Sequence, residues 1–506
     1  MELEAALQSA LERLLTAGRV EVRENGAWLA ELEDFRFEVR SHPTGVLLHL
    51  WSTHTNTVRR VVGVTADEDG VLEVEVIRFG RARPERLRFS SAEAQQAGRI
   101  SREQFRARLR ELLAQQFPDE TIATLSTAAD LEHSLSGNYT RGAAEAGSQS
   151  WALLAAAPGE SAATYDGLLA FGLLWLERMR ESQRRKIVGG LRLLFPAGAG
   201  KITAHRAKAL SPEAAVQLYE YDLDRGRARL VEPAEAGNVV TWLTPRREIE
   251  ATLRRAEPEV ERVRRLCPEA IRAEVIPGTQ EVALRFRGLA FATLRREGLF
   301  FGLDDRQVLL TPSREADLLQ LVDLLQIHRS PLASDHRHTL YRARPERWLE
   351  WQVAADPSRV HARISAHMLY SQVPAFSAGD RGVMDLTGVT RDGRLALLEL
   401  KASEDLQLVL QAVDYWLRVR WHQSQGDFER YGYFSGLQLD ARPPLLFLVA
   451  PALRFHPACD VLLRYIRRDI EICRVGLAEN WRRGLRVVLR QEREGLVGRA
   501  AAGSSS

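Results

Sequence analysis

Cysteine is nearly missing from this chain. Cys267, Cys459 and Cys473 are the three present in 506 residues, and their spacing pairs none with another. A disulfide framework is thereby excluded. No apolar run approaches the length of a membrane span. The opening residues, MELEAALQSALERLL, read as an acidic amphipathic helix without the basic region, apolar core and small-residue cleavage site of a secretory signal. A soluble, cytoplasmic protein is the expectation. With a net charge of +3 the chain is only mildly basic, so any surface for a polyanion has to be local. Lysine is scarcer than its chemistry suggests. Of the 70 basic residues four are Lys, at positions 186, 201, 208 and 401. Arginine is the default cation here, and a Lys that survives marks a place where a compact ammonium does what a planar guanidinium does not.

Lys401 is the informative one, because it stands two residues after Glu399 on a strand. The segment from Arg381 to Ser403 reads as two strands, GVMDLTGVT and RLALLELKA, joined by Arg391-Asp392-Gly393. A three-residue loop ending in Gly suits a type I turn followed by a left-handed residue. Thr390 then faces Arg394, and counting back sets Asp385 opposite Glu399 on one face of the pair, with Lys401 on that face too. Leu398 and Leu400 turn the other way, toward a helix-covered core. A two-residue Asp-Gly turn would instead set Asp385 opposite Leu400 and split the group.

Two carboxylates converging at one strand end call for a cation, and hard oxygen donors suit Mg²⁺ or Mn²⁺. The expected metal ligands are Asp385, Glu399 and the backbone carbonyl of Leu400. Lys401 would orient or deprotonate the attacking water. Ordinary cross-strand charge pairing is the plainer reading of an isolated D…ExK. The residues after the hairpin shift the balance. Ser403-Glu404-Asp405 reads as a capped helix start, and the helix runs on to about Gln423. Gln407, Gln411, Tyr415 and, roughly, Arg418 and His422 share one stripe of it, and Leu406, Leu410, Val413 and Leu417 another.

This order of parts resembles the PD-(D/E)XK nuclease superfamily, specifically its RecB-like branch with a QxxxY motif. The likeness covers roughly residues 344–490. It implies a core of helix, mixed sheet and helix, with Asp385, Glu399, Lys401, Gln411 and Tyr415 as catalytic residues. It also implies an acid on the first helix to complete the metal site. PERWLEWQVAADP offers Glu346 and Glu350 for that role, and Glu350 is favoured as nearer the following strand, YSQVPAF. Met384 stands before Asp385 where the superfamily's name has Pro. The three cysteines exclude the four-Cys iron–sulfur clasp that some members carry.

The whole chain reads as α/β and α+β, multidomain. Residues 1–110 form a β-rich module, 111–245 an α/β region, 246–330 a small α+β unit and 331–500 the nuclease-like domain, with 501–506 a disordered tail. The first module has a basic stretch, and Arg59, Arg60, Arg78, Arg81, Arg83 and Arg86 are candidate phosphate contacts. A solvated, Arg-decorated strand is the other reading. PAGAGKIT fails as a phosphate loop, since Phe195 replaces the first Gly and Ile202 follows Lys201. His328, His336, His338 and Asp335 are read as solvated loop residues. Strands are expected at IVGGLRLLF, VQLYEYD and NVVTWLT.

The function expected is hydrolysis of DNA phosphodiester bonds, with the first 330 residues choosing the substrate. A catalytically silent nuclease-fold adaptor and an RNA nuclease are the alternatives. Dimers are common among nucleases of this type, which makes a homo-oligomer a further expectation from the resemblance.

Overall fold

The computed structural model describes residues 2–493 except 17–18, 25–26, 32–35, 43–44, 52–55, 69, 78–83, 92–101, 129, 131–134, 184, 237–240, 242, 277–278, 304–305, 372 and 374–385. It is a mixed α/β structure with four sheets. The chain divides into two compact units, Met1–Val240 with Ser377–Arg381 and Pro457–Arg467, and Thr241–Phe376 with Gly382–His456 and Arg468–Ser506.

The first unit opens with a helix, Glu2–Thr16, whose Leu7, Ala10, Leu11 and Leu14 lie on one side at helical spacing. They pack on a seven-stranded antiparallel sheet from residues 20–91, against Val22, Leu48, Leu72, Val74, Leu87 and Phe89. Strict alternation of buried and half-buried residues along Val71–Ile77 is what one covered sheet face produces. A six-stranded mixed sheet comes next, over residues 121–231. Its parallel strands Gln149–Ala156 and Ile187–Pro196 are joined by a helix, Ala162–Ser182, that Ser161 caps by accepting the Thr164 N–H.

One expectation is corrected in this region, and one pair of strands is not foreseen. Thr241, Leu243 and Thr244 of NVVTWLT lie in no strand, and the remaining positions of that segment fall outside the described residues. The antiparallel pair Tyr139–Ala146 and Gln149–Ala156 has no counterpart in the sequence reading, because its Ala-rich strands lack the β-branched signature and owe their form to burial. At Gly198, the backbone N–H donates to the Glu220 carboxylate, so an acid stands where a phosphate loop would receive its anion.

The second unit holds two sheets. An antiparallel sheet from residues 271–309 packs against the helices Arg246–Arg264 and Glu315–His328 through Val260, Leu284, Phe291, Leu318 and Val322. The other sheet has six strands in sequential order. A helix, α1 (Pro345–Ala355), precedes β1 (Ile364–Ser371), β2 (Leu386–Thr390) and β3 (Leu395–Leu400). After them come helix α2 (Leu408–Ser424), β4 (Leu445–Pro451), β5 (Ile472–Leu477) and β6 (Val487–Arg493). The pairs β1–β2, β2–β3 and β5–β6 are antiparallel, and β3–β4 and β4–β5 are parallel. Strand β1 starts six residues before the expected YSQVPAF, most of which lies outside the described residues.

Sheet alternation sorts the side chains onto two sides. Ala396, Leu398, Leu400, Phe447, Val449 and Val475 pack with Trp348, Leu349 and Val353 of α1. Leu397, Glu399, Leu446 and Leu448 are buried on the opposite side, where α2 contacts β3 and β4.

Candidate functional site

The β2–β3 hairpin has the three-residue loop read from the sequence. Thr390 N–H donates to Arg394 O at 2.7 Å, Gly393 N–H donates to Thr390 O at 3.0 Å, and Gly393 takes the left-handed φ of 81°. The pairs are Leu386 with Leu398, Thr387 with Leu397 and Gly388 with Ala396. Asp385 lies outside the described residues.

Glu399, 5% exposed, sits near the carboxyl end of β3. Leu400 buries its side chain in the core on the α1 side, so only its backbone is available to the site. Lys401 is anchored by its N–H, which donates to Val449 O at 2.9 Å and extends the parallel pairing past the end of the strand. Its ammonium lies 2.7 Å from Gln411 Oε1, 3.1 Å from Asp405 Oδ2 and 3.5 Å from Glu399 Oε1. Glu399, Lys401 and Gln411, which the sequence pattern links, therefore come together. Tyr415 lies one turn along α2 from Gln411 and is half-buried.

By sequence Asp405 reads only as a first-turn helix acid. In the structure α2 begins at Leu408, and Asp405 precedes it. Asp405 Oδ1 accepts the Gln407 N–H at 2.8 Å, while Oδ2 faces Lys401. The helix starts late because this carboxylate holds the chain in a turn. Its place four residues after Lys401 is the available clue.

Two members of the polar stripe on α2 belong elsewhere. Arg418 is buried against Asp414 at 3.1 Å. His422 Nδ1 contacts Asp427 Oδ2 at 2.7 Å and His422 Nε2 contacts Thr241 Oγ1 at 2.8 Å, all three residues being buried. Burial pushes the His422 imidazole down from its ordinary value, against the pull of Asp427.

The two candidate acids of α1 part company. Glu350 is buried and paired with Arg347 at 2.7 Å, in a cleft lined also by Arg272, Glu274 and Arg285. Glu346 accepts a hydrogen bond from Ser403 Oγ at 3.3 Å, two residues beyond Lys401.

One further group has metal-ligand residue types. Donor atoms of His361, Cys473 and Glu492 lie within 4.8 Å of one another. His361 Nδ1 accepts the Arg363 N–H at 3.2 Å, which places the proton of the neutral ring on Nε2, facing Glu492 Oε1 at 3.3 Å. Burial holds that imidazole down and pushes the Cys473 thiol up to about 11. Both ring nitrogens of His361 are engaged, one by the Arg363 N–H and the other by Glu492.

Among the arginines expected at phosphate, Arg78, Arg81 and Arg83 lie outside the described residues. Arg59 is a correction: it is buried, with Nε and Nη2 donating to Glu24 at 2.6 and 3.1 Å, and does not reach the surface. Arg60 is half-exposed, and Arg86 is exposed with Glu73 at 3.7 Å. The reading of the loop histidines needs amendment too, since His328 and His338 stack at 3.6 Å.

No protein-family model, curated protein or solved structure matches the chain. Among the described residues no helix is long and apolar enough to cross a membrane.

Two carboxylates, Glu399 and Asp405, and the Gln411 amide oxygen surround one ammonium at Lys401, and of these Glu399 is the hard oxygen that could face a cation from the strand.

Proposed function

We propose that the chain is a metal-dependent nuclease acting on DNA. The observation that carries this reading is the meeting of Lys401 with Glu399 on its own strand and with Gln411 on the next helix. Support comes also from the order of elements around it. A helix, three antiparallel strands, a second helix and a strand parallel to the third follow one another here, an order that agrees with the nuclease resemblance.

In this reading Asp385, which immediately precedes β2 in the chain, joins Glu399 and the Leu400 carbonyl in holding Mg²⁺ or Mn²⁺. Glu346 is the preferred acid from α1, because its carboxylate reaches Ser403 while that of Glu350 faces Arg347. The cation, when bound, supplies Lewis acidity to the scissile phosphate. Lys401 offers its ammonium to the attacking water, and Gln411 fixes where that ammonium stands. Residues before 331 select the substrate.

The test is cleavage of single-stranded, duplex and branched DNA with Mg²⁺ or Mn²⁺ by the purified protein, Asp385→Ala and Lys401→Arg. The expected result is cleavage by the wild type and its loss in both variants, since a guanidinium is too large and planar to replace the ammonium between these acceptors. Equal cleavage by all three proteins, or none by the wild type on any DNA with either metal, overturns the proposal. A single-stranded RNA tested in parallel and cleaved in place of DNA likewise overturns DNA as the substrate, while leaving the metal centre standing.

A further inference from the structure

Asp405 has two oxygens with two different duties. Oδ1 holds the Gln407 N–H at 2.8 Å, and Gln407 is the residue immediately before the helix that carries Gln411. Oδ2 stands 3.1 Å from Lys401 Nζ. One carboxylate thus joins the lysine to the helix start that presents its other acceptor. The side chain is 29% exposed and the lysine 19%, so this is a partly shielded contact at the lip of the site rather than a pair in open water.

Distances around the ammonium show what the arrangement achieves. Gln411 Oε1 at 2.7 Å and Asp405 Oδ2 at 3.1 Å are within hydrogen-bond length, whereas Glu399 Oε1 at 3.5 Å is beyond it. The ammonium is drawn toward the helix side, away from the carboxylate on its own strand. Among the described residues, the other carboxylate beside the ammonium is that of Glu399, two residues away on the same side of β3. A flexible four-carbon stem allows the ammonium to close on it. A lysine bound tightly to Glu399 competes with a divalent cation for that carboxylate.

We infer that Asp405 is a positioning residue: it holds Lys401 off Glu399 and so preserves the affinity of the Glu399 carboxylate for a divalent cation. This rests on the metal centre proposed above. It adds a residue whose effect on the metal passes through Lys401, and that is what distinguishes it from a ligand. Partners that orient a metal's ligands commonly affect its affinity by about 10–100-fold.

The experiment is a calorimetric titration of the full-length protein with Mn²⁺ alone. Wild type, Asp405→Asn, Lys401→Met and the double variant are compared, with thermal unfolding recorded for each. Asparagine keeps an acceptor for the Gln407 N–H and removes the charge. Asp405→Ser, whose hydroxyl also accepts that N–H, serves if the first variant does not fold. The expected result is a loss of Mn²⁺ affinity of about 10-fold in the wild-type background, shrinking to less than about 3-fold when residue 401 is Met. An equal loss in both backgrounds means that Asp405 acts on the metal directly, and overturns the positioning role while leaving the metal centre standing. An unchanged affinity in Asp405→Asn overturns it as well. No Mn²⁺ binding by the wild type overturns the metal centre and this inference together.

Discussion

Lys401 Nζ is hydrogen-bonded to Gln411 Oε1 at 2.7 Å, a contact that ties the end of β3 to the first turn of α2. The bond crosses from strand to helix, so it sets the ammonium against a rigid element rather than against the loop between them. Gln411→Ala removes that reference. A displacement of about 1 Å in a group that acts on the reacting atoms costs about 10²-fold in rate, and that is the expected fall in single-turnover DNA cleavage. Because Gln411 is only half-buried, the thermal midpoint should move little. A fall of less than about 3-fold, against the 10²-fold expected of a displaced group, would show that the ammonium is placed by other means.

Arg329 supports the fold from which α1 is presented. Its side chain is fully buried, and its partners are carbonyls rather than carboxylates: Phe286, Arg287, Leu340, Ala343 and Arg344, with Nη1 to Ala343 O at 2.7 Å. The guanidinium also lies 4.9 Å from the Trp348 ring centroid. Burial lowers its pKa to about 9. Arg329→Met leaves several buried acceptors unsatisfied, each worth about 1–3 kcal/mol, and the expected loss of stability is at least about 3 kcal/mol. Urea unfolding measures it. Arg329→Lys should recover little, since one ammonium cannot span this set of carbonyls. Full recovery by Lys would mean that charge, not the planar fork, is what the site requires.

How much of the molecule is legible in the sequence depends on the range of the interaction that decides each feature. Turn chemistry is local, and the loop Arg391-Asp392-Gly393 leads to the observed pairing of Leu386 with Leu398. The continuous apolar run at Leu445–Pro451 is likewise a buried strand. The sequence places the start of α2 too early because Asp405 does not act as a first-turn helix acid: its Oδ1 closes a turn on the Gln407 N–H and its Oδ2 faces Lys401. His422 and Arg418 fit the polar stripe by spacing alone. Their buried partners Thr241, Asp427 and Asp414 show that a polar residue at the right helical angle can face the protein interior. Arg59 fails as a surface cation for the same reason, its partner Glu24 being 35 residues away.

The buried imidazoles predict a pH dependence of stability. Burial holds both His422 and His361 below the ordinary histidine value, so the folded state disfavours their protonation and the unfolded chain does not. Their contribution is therefore complete above the unfolded value of about 6.5, and is lost as the pH falls from there through the lowered folded values. Urea unfolding at pH 8, 6.5 and 5 should give a flat upper segment and a fall in the lower one, and His422→Gln should make that fall shallower. Equal stability at pH 8 and pH 5 in the wild type would remove the basis of this prediction.

Glu346 and Glu350 stand four apart on α1, and their surroundings predict opposite phenotypes. Glu346 reaches Ser403, just past Lys401, so Glu346→Gln should weaken Mn²⁺ binding in a calorimetric titration while leaving the unfolding midpoint nearly unchanged. Glu350 is buried against Arg347, in a cleft that also holds Arg272 and Arg285. Removing its charge leaves several guanidiniums crowded around fewer anions, so Glu350→Gln should lower the unfolding midpoint and leave Mn²⁺ affinity within about 2-fold of wild type, well short of the 10-fold or more that a residue tied to the metal commonly costs. The reverse pattern, with Glu350→Gln abolishing metal binding in a stably folded protein, would return Glu350 to the centre and require α1 to turn about its axis on binding the ion.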